Sequence, residues 1–444
     1  MLLYYYYTNS KYTKLLSKEI EDFIVMYKKY YKVRVTDEKS LRYTIGNILF
    51  NMTRSVNNKQ SDIVFIQDKR FFVGGVIIDG RRCAIKVSYT FFVKMLEILE
   101  KEDFLQIITG GAFIYKEHTD SLGEVHKIPT GKRSSSVIVL KNKSVDLLED
   151  KVVKYEMSNV LILRDEDKND MEFKPTQLQL QDIDFLRGFN SHIAEFEFKD
   201  KNGDVIAEPF LRRIFNTSFE LGGRFYTQSG VVQTMTPEDR LKVTINGKKV
   251  KEIDVSALHP SIIASKAGIK VDYDPYDFEV PANIDYEAIE EHKKKYGKFM
   301  YNPVRNLNKI CVLLAINNRT RGAAINSINK KIRDDHRLPE KDRMYYGINE
   351  LDVNLLYVNM ENRNIGISES FGSNQGAIMQ FYDSMWMERV LSYIVQADIP
   401  AIPIHDSILC PEENASEVER YMELAYKQSF GDTYNFKVKV KQAE

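Results

Sequence analysis

Three cysteines in 444 residues, Cys83, Cys311 and Cys410, are too few and too scattered for a disulfide framework or a zinc cluster. They point to a reducing interior. Net charge is also missing: 63 basic side chains face 63 acidic ones. The chain as a whole therefore has no field that would draw a polyanion or an anionic membrane, and an anionic ligand would need a local basic cleft. No run approaches the roughly 18 uncharged apolar residues that span a bilayer. The start, Met1-Leu2-Leu3-Tyr4-Tyr5, has neither a charged region nor a long apolar stretch of the secretory kind. A soluble, cytoplasmic protein with no membrane partner is expected. Repeats and low-complexity tracts are absent. What is present is a 43% apolar share, ample for two or three cores in a chain of this length.

The first half reads as mixed α and β. Apolar spacing at Leu15, Leu16, Ile20, Phe23 and Ile24 predicts a helix within Ser10 to Lys32, and Tyr89 to Leu99 reads as a buried helix. Phe71 to Gly80 reads as a strand ending in an Asp79-Gly80 hairpin turn. Ser136 to Leu140 and Val160 to Leu163 read as strands, and the polar stretch His118 to Ser135 as a loop. Gln177 to Glu195 has helical spacing, followed by a hairpin from Ile193 to Ile206. A domain boundary near residue 185 is expected, with an accessory domain over 1–185 and a catalytic unit over 186–444. In that second part Lys251 to Val255 reads as a strand, and Asn302-Pro303 as a helix start with asparagine as N-cap. Gln375 to Gln396 is a long helix, Ala401 to Leu409 a hairpin, Ala415 to Gln428 a helix, and Tyr434 to Val440 a closing strand.

Chemistry concentrates in this second part. Asp254 ends an apolar strand, in Ile253-Asp254-Val255-Ser256-Ala257-Leu258-His259-Pro260. Alone it reads as a turn residue. Asp406 sits in His405-Asp406-Ser407 at a hairpin tip flanked by Ile402, Ile404, Ile408 and Leu409, where a tight turn ordinarily takes glycine or asparagine. Between these motifs Arg305 and Lys309 stand four apart on one helical face, on a helix that also carries Val312, Leu313, Leu314 and Ile316. Two carboxylates brought together can hold two magnesium ions, and a guanidinium and an ammonium suit phosphate oxygens. Together they form an apparatus for nucleotidyl transfer. Gly222-Gly223-Arg224-Phe225-Tyr226 reads either as a glycine turn or as close backbone approach to nucleic acid, with Arg224 on a phosphate and an aromatic on sugar or base.

Together these residues resemble the A-family of nucleic-acid polymerases, the group of bacterial repair polymerase I and certain phage replicases. That family's first motif, Asp-x-Ser-x-x-Glu, is similar to Asp254-Val255-Ser256, with His259 in the place of the glutamate. Its fingers helix carries an arginine and a lysine matched by Arg305 and Lys309, while Leu313, Asn317 and Asn318 stand where it has aromatics and glycine. Its closing His-Asp-Glu hairpin resembles His405-Asp406-Ser407, and His-Asp-Ser is the form found in single-subunit, phage-type RNA polymerases. Gln375-Gly376-Ala377 resembles its Gln-Gly-x-Ala helix, and Gly222-Gly223-Arg224 its Thr-Gly-Arg segment. The likeness covers about residues 205–444.

The resemblance implies an α+β fold: a right-hand polymerase palm with an antiparallel sheet and helical fingers, beside a smaller mixed α/β N-terminal domain. It implies a Mg2+ (or Mn2+) site on Asp254 and Asp406, with Lys309 as a third catalytic group. Arg305, Lys309, His259, Arg224, Gln375 and His405 would contact substrate, and His259 would stand at the sugar gate. The implied partners are DNA template and primer, deoxynucleoside triphosphates, and a small accessory replication protein or helicase. The implied activity is template-directed DNA synthesis, extending to primer synthesis, in a phage or mobile genetic element. RNA synthesis, or nucleic-acid binding without catalysis, are the alternatives. Leu258-His259-Pro260-Ser261-Ile262-Ile263 and Phe430-Gly431-Asp432-Thr433-Tyr434 also resemble B-family motifs, but Tyr434 replaces the second aspartate of the latter. Asp165-Glu166-Asp167 reads as a solvated hairpin tip, so no nuclease is expected in the first half. Its aromatic and basic start, Tyr4 to Arg34, is the candidate surface for duplex or a partner.

Overall fold

A computed structural model of the chain describes residues 16–57, 62–65, 76–83, 87–109, 113–119, 125–133, 136–151, 159–206, 209–227, 231–297, 301–432 and 437–442. Helices and several small sheets make it a mixed α+β protein. The chain divides into two compact units. The first takes the described residues up to 162, with 170–212 and 227–247, and the second takes 163–169, 213–226 and 248–444. The division is interleaved, not a single cut near residue 185, and that residue lies inside a helix. No helix among the described residues is long and apolar enough to cross a membrane.

In the first unit, helices α1 (Ser17–Tyr30), α2 (Glu38–Asn57) and α3 (Tyr89–Lys101) share a core of Ile20, Phe23, Tyr27, Leu41, Ile45 and Phe92. Tyr27 of the aromatic start is thus core, Tyr30 is exposed, and the tyrosines before residue 16 lie outside the described residues. Strand β1 (Asp62–Phe65) is followed by the hairpin β2 (Val76–Ile78) and β3 (Arg81–Cys83). Its turn residues Asp79 and Gly80 have φ of 46° and 82°, the left-handed pair that a two-residue hairpin demands. The Phe71 end of the expected strand lies outside the described residues. The Asp79 carboxylate accepts the Val160 and Leu161 amides at 2.9 and 3.0 Å and pairs with Arg187 at 2.8 Å.

Strands β4 (Leu105–Ile108), β5 (Phe113–Thr119), β6 (Val125–Arg133) and β7 (Ser136–Leu140) follow, and β7 is the centre of an antiparallel sheet of order β1-β7-β4. The stretch expected as a loop over His118 to Ser135 is largely the paired hairpin β5–β6. The sequence over 118–135 has no regular apolar alternation, and backbone pairing needs none. Helix α4 (Asn142–Leu148) and strand β8 (Leu161–Arg164) precede α5 (Gln177–Ile193), which starts on a Thr176/Gln179 capping box. Ile193 closes α5, so the hairpin after it shrinks to β9 (Phe198–Lys199), bridged to Val205. Asp165 accepts the Asn169 amide at 2.8 Å in an exposed turn, as a solvated tip should.

Strands β10 (Leu211–Asn216) and β11 (Ser218–Thr227) form a hairpin whose 213–226 part belongs to the second unit; β12 (Thr244–Ile245) pairs with β9 in the first. The second unit is built on β13 (Lys248–Val255). Helices α6 (Leu258–Lys266), α7 (Tyr286–Tyr296), α8 (Pro303–Asn317), α9 (Arg321–His336), α10 (Val353–Arg363) and α11 (Gly376–Gln396) come next, and β14 (Asn283–Ile284) pairs with β15 (Ile348–Asn349). The hairpin β16 (Ile402–Ile404) and β17 (Ser407–Pro411), helix α12 (Ala415–Phe430) and β18 (Val438–Gln442) complete it. β17 and β18 flank β13, all antiparallel, giving the order β16-β17-β13-β18. Trp386 of α11 and Met422 and Tyr426 of α12 are core residues, and the Trp386 indole donates to the Met422 carbonyl at 3.1 Å.

Candidate active site

Asp254 is the penultimate residue of β13, in register with Ser407 of β17 and Lys439 of β18. Asp406 precedes Ser407 and stands in the turn opposite Val255, whose amide lies 3.4 Å from the Asp406 carbonyl. The turn that carries Asp406 has only two residues, and His405 takes the left-handed conformation there at φ 58°. A histidine in that conformation is strained backbone, held because β16 and β17 are buried throughout. Its ring packs edge-on to Tyr226 at 5.9 Å.

The half-buried Asp406 carboxyl has a raised pKa. Burial is the main cause and the negative charge of Asp254 the second, while Arg224 and Lys309 pull the other way. The charge of Asp254 thus adds to the cost of ionising Asp406. Lys309 approaches from α8. Asn302 caps that helix by accepting the Arg305 amide at 3.0 Å, with Pro303 at its first position. Asn308 fastens it to the Tyr276 and Phe278 carbonyls at 3.0 and 2.7 Å. Lys309 is exposed and makes no salt bridge or hydrogen bond among the described residues, so its charge is available to a ligand.

Arg305 differs from the expectation that it shares one free cationic face with Lys309. Its guanidinium is tied to Asp274 and lies 5.4 Å from the centre of the Tyr276 ring. Burial alone would raise the Asp274 carboxyl. The bond and charge of Arg305, the Tyr276 amide and the charge of Lys439 together hold it below its usual value. Asp254 is also engaged: Lys441 of β18 lies 2.8 Å from it and 3.1 Å from the buried Glu252, which accepts the Ser407 hydroxyl at 3.0 Å.

The Gly222-Gly223-Arg224 segment is not a turn. Both glycines lie inside β11 with φ of 80° and 78°, and a Cβ on Gly223 would come within 2.6 Å of the Phe215 ring. The kink lets β11 pass close to Arg213, whose buried guanidinium donates to the Gly223 carbonyl at 2.8 Å and to Glu388 at 2.7 Å. Phe225 is buried with Arg213 5.2 Å from its ring centre, which removes it as a base-stacking platform. Arg224 grips the buried Asp383 of α11 through Nε, at 3.0 Å, and Nη2. His259 Nε2 lies 2.8 Å from the same carboxylate and 3.2 Å from Arg224 Nη2. A carboxylate only accepts, so Nε2 carries a proton. Nδ1 is buried and has no partner among the described residues.

Gln375 sits at the N-cap position of α11, and its amide donates to the Ile316 carbonyl at 2.9 Å. The Gly372 and Asn374 amides likewise reach the Ala315 and Asn318 carbonyls at 2.7 and 2.9 Å. A Cβ on Gly376 would overlap the Asn317 side chain at 1.8 Å, so glycine is required at this junction of α8 with α11. Asp432 of the rival motif is 78% exposed and lies 3.8 Å from Lys427; its neighbours Thr433 and Tyr434 lie outside the described residues, as does the start of the expected closing strand.

Asp254, Asp406, Lys309, Arg224 and His259 thus gather in one unit, while Arg305 faces an adjoining cleft. Asp383, Glu252, Lys441, Arg213 and Asp274 were not singled out from the sequence. Asp383 gave one signal, a lone acid in the apolar run Phe381 to Met387. Among the described residues no cluster of three or more His, Cys, Asp or Glu is arranged to hold a metal. The oxygens of Asp254 and Asp406 suit a divalent ion completed by ligand oxygens, which would compete with Lys441 for Asp254.

No family model matches the chain, and no curated protein matches it. Among solved structures, the POL domain of Pol1 from M. smegmatis, in complex with DNA primer-template and dNTP, aligns with 59% of this chain and 51% of its own at 13% identity, with a TM-score of 0.27. The chain thus spans about half the length of that structure, and a likeness at that score fixes neither fold nor activity.

Proposed function

We propose that the second unit is a polymerase palm with helical fingers and that the protein carries out divalent-metal-dependent, template-directed DNA synthesis. The adjacency of Asp254 and Asp406 carries this reading: a binder of nucleic acid gains nothing from two negative charges facing phosphate. Mg2+ or Mn2+ on this pair would supply Lewis-acid activation of a primer hydroxyl and of the leaving phosphate. The chain's own groups do the rest. Lys309 neutralises the phosphates of the nucleotide. Arg224, pinned by Asp383, sets the field at Asp406 and orients His259. The test is primer extension with deoxy- and ribonucleotides side by side, with and without primer. Absence of incorporation under every metal and primer condition would refute the reading.

One observation favours a second reading, nucleic-acid binding without catalysis. The Lys441 ammonium already neutralises one Asp254 oxygen. That reading predicts template binding with no incorporation, and the same assay separates the two.

Lys309→Ala is expected to raise the KM for nucleotide about tenfold, the loss of one charge-assisted contact to phosphate, while template affinity stays within about twofold. Steady-state kinetics beside a DNA-binding isotherm measure both; an unchanged KM removes Lys309 from the nucleotide site. His259→Ala is expected to relax the preference for deoxynucleotides, because it removes the imidazole bulk that would crowd a ribose 2′-hydroxyl. Competition between deoxy- and ribonucleotides checks this, and an unaltered ratio would take the sugar gate away from His259.

A further inference from the structure

The cationic groups predicted to hold the nucleotide are half engaged: Arg305 is bound to Asp274, which leaves Lys309 alone on α8. The charge that is missing stands on another element. In β18 the pairing Lys439↔Asp254 and Lys441↔Glu252 puts alternate residues on the face of β13 that carries the carboxylates. Lys437 continues the same alternation, and its carbonyl accepts the Ser256 amide at 2.9 Å, which prolongs the pairing by one residue. Lys441 is spent on Asp254 and Glu252. Lys437 and Lys439 are both exposed, and neither ammonium has a hydrogen-bond or salt-bridge partner among the described residues.

Both lysines line a 210 Å3 cleft with Arg305, Ser256, Ala257 and Tyr273. Two carboxylates also line it, Asp272 and Asp274. Arg305 cancels Asp274, so two lysines face one remaining aspartate and the cleft is net positive. The start of α6 lies at the same place, with Ala257 at its N-cap position in the left-handed conformation and no side chain capping it. An uncapped helix start adds N–H donors and a positive field to a site that side-chain cations already define. The cleft adjoins Asp254 through Ser256 and Ala257, and an extended anion lying in it would reach the carboxylate pair at one end.

We propose that β18 is a phosphate-binding strand in which Lys437 and Lys439 hold the phosphate chain of the incoming nucleoside triphosphate in the cleft beside Asp254. The assignment of a nucleotide rests on the proposed polymerase reading; the phosphate chemistry of the cleft does not. Two exposed cations at about 0.5–1 kcal/mol each correspond to about a tenfold change in affinity.

The experiment titrates inorganic tripolyphosphate into the full-length chain by calorimetry, without catalysis, and measures primer–template DNA binding in parallel. The variant K437A/K439A is expected to bind tripolyphosphate about tenfold more weakly and DNA within about twofold of the parent. K437R/K439R, which keeps both charges, is expected to restore tripolyphosphate binding. Equal tripolyphosphate affinity in parent and K437A/K439A overturns the proposal. So does an equal fall in tripolyphosphate and DNA affinity, which assigns the face to backbone phosphates of a bound strand. A chain that loses tripolyphosphate binding in this variant, yet never incorporates nucleotides, upholds the phosphate site and overturns the polymerase reading instead.

Discussion

Asp406→Asn is expected to abolish nucleotide incorporation and, in the same protein, to raise the thermal midpoint of the metal-free chain at neutral pH. The first effect is on the order of a thousandfold, since electrostatic activation at such a site supplies several kcal/mol of barrier. The second follows from the raised pKa of Asp406, caused by burial and by Asp254. A carboxyl whose folded pKa exceeds its unfolded value, about 3.9, favours the unfolded state once it ionises. Below the unfolded value both states are protonated and the penalty is absent. It grows as pH rises through that value and is complete above the folded pKa. Asparagine removes it, so the gain in midpoint appears at neutral pH and vanishes in acid. Thermal melts from acid to neutral pH, without divalent ions, check this. A variant that incorporates nucleotides normally, or melts lower than the parent at pH 7, contradicts the account. Asp254→Asn shares the loss of incorporation, while Glu252 remains to hold Lys441.

Asp383→Ala is expected to destabilise the second unit by about 3–5 kcal/mol, the usual result of removing one partner from a buried ion pair. Asp383 is 2% exposed and holds both the fork of Arg224 and the ring of His259. The loss leaves a largely buried guanidinium uncompensated. The single tryptophan of the chain, Trp386, lies three residues further along α11 and is fully buried, so its fluorescence reports this unit's unfolding. Denaturant titration followed at Trp386 measures the effect, and a midpoint equal to the parent's would show that the network carries no stability. Asp383→Asn, which keeps the shape and can still accept a hydrogen bond, should fall between the two.

The strand ending at Asp254, the two-residue turn at Asp406 and the start of α8 were legible because their signals are local. An aspartate closing an apolar strand, an acid on a two-residue turn, and an Asn-Pro pair ahead of a helix each declare themselves within a few residues. The partners of those groups were not legible. Arg224 and Asp383 are 159 residues apart, and Arg224 read as a phosphate ligand until its fork was occupied. The pairing of Arg305 with Asp274 was hidden for the same reason: spacing along a helix shows which face a side chain leaves from, not which carboxylate it meets. Lys441 and Glu252 are 189 apart, yet the register of β18 on β13 makes them direct neighbours. The hairpin β5–β6 was missed because the sequence over 118–135 lacks a regular apolar alternation. The interleaved units were missed because five changes between them, at residues 162, 169, 212, 226 and 247, leave no single shift in composition.

The three backbone bonds from 372–375 to the end of α8, with Gly376 seated against Asn317, make that end of the helix a fixed pivot. From Asn317 back to Arg305 is about 18 Å of helix at 1.5 Å per residue. A tilt of about 10° about the pivot would carry Arg305 through about 3 Å and Lys309, nearer the fulcrum, through about 2 Å. Any displacement would therefore grow along the helix away from that fixed end, and the bonds of Asn308 to the Tyr276 and Phe278 carbonyls, with the pairing of Arg305 to Asp274, oppose it.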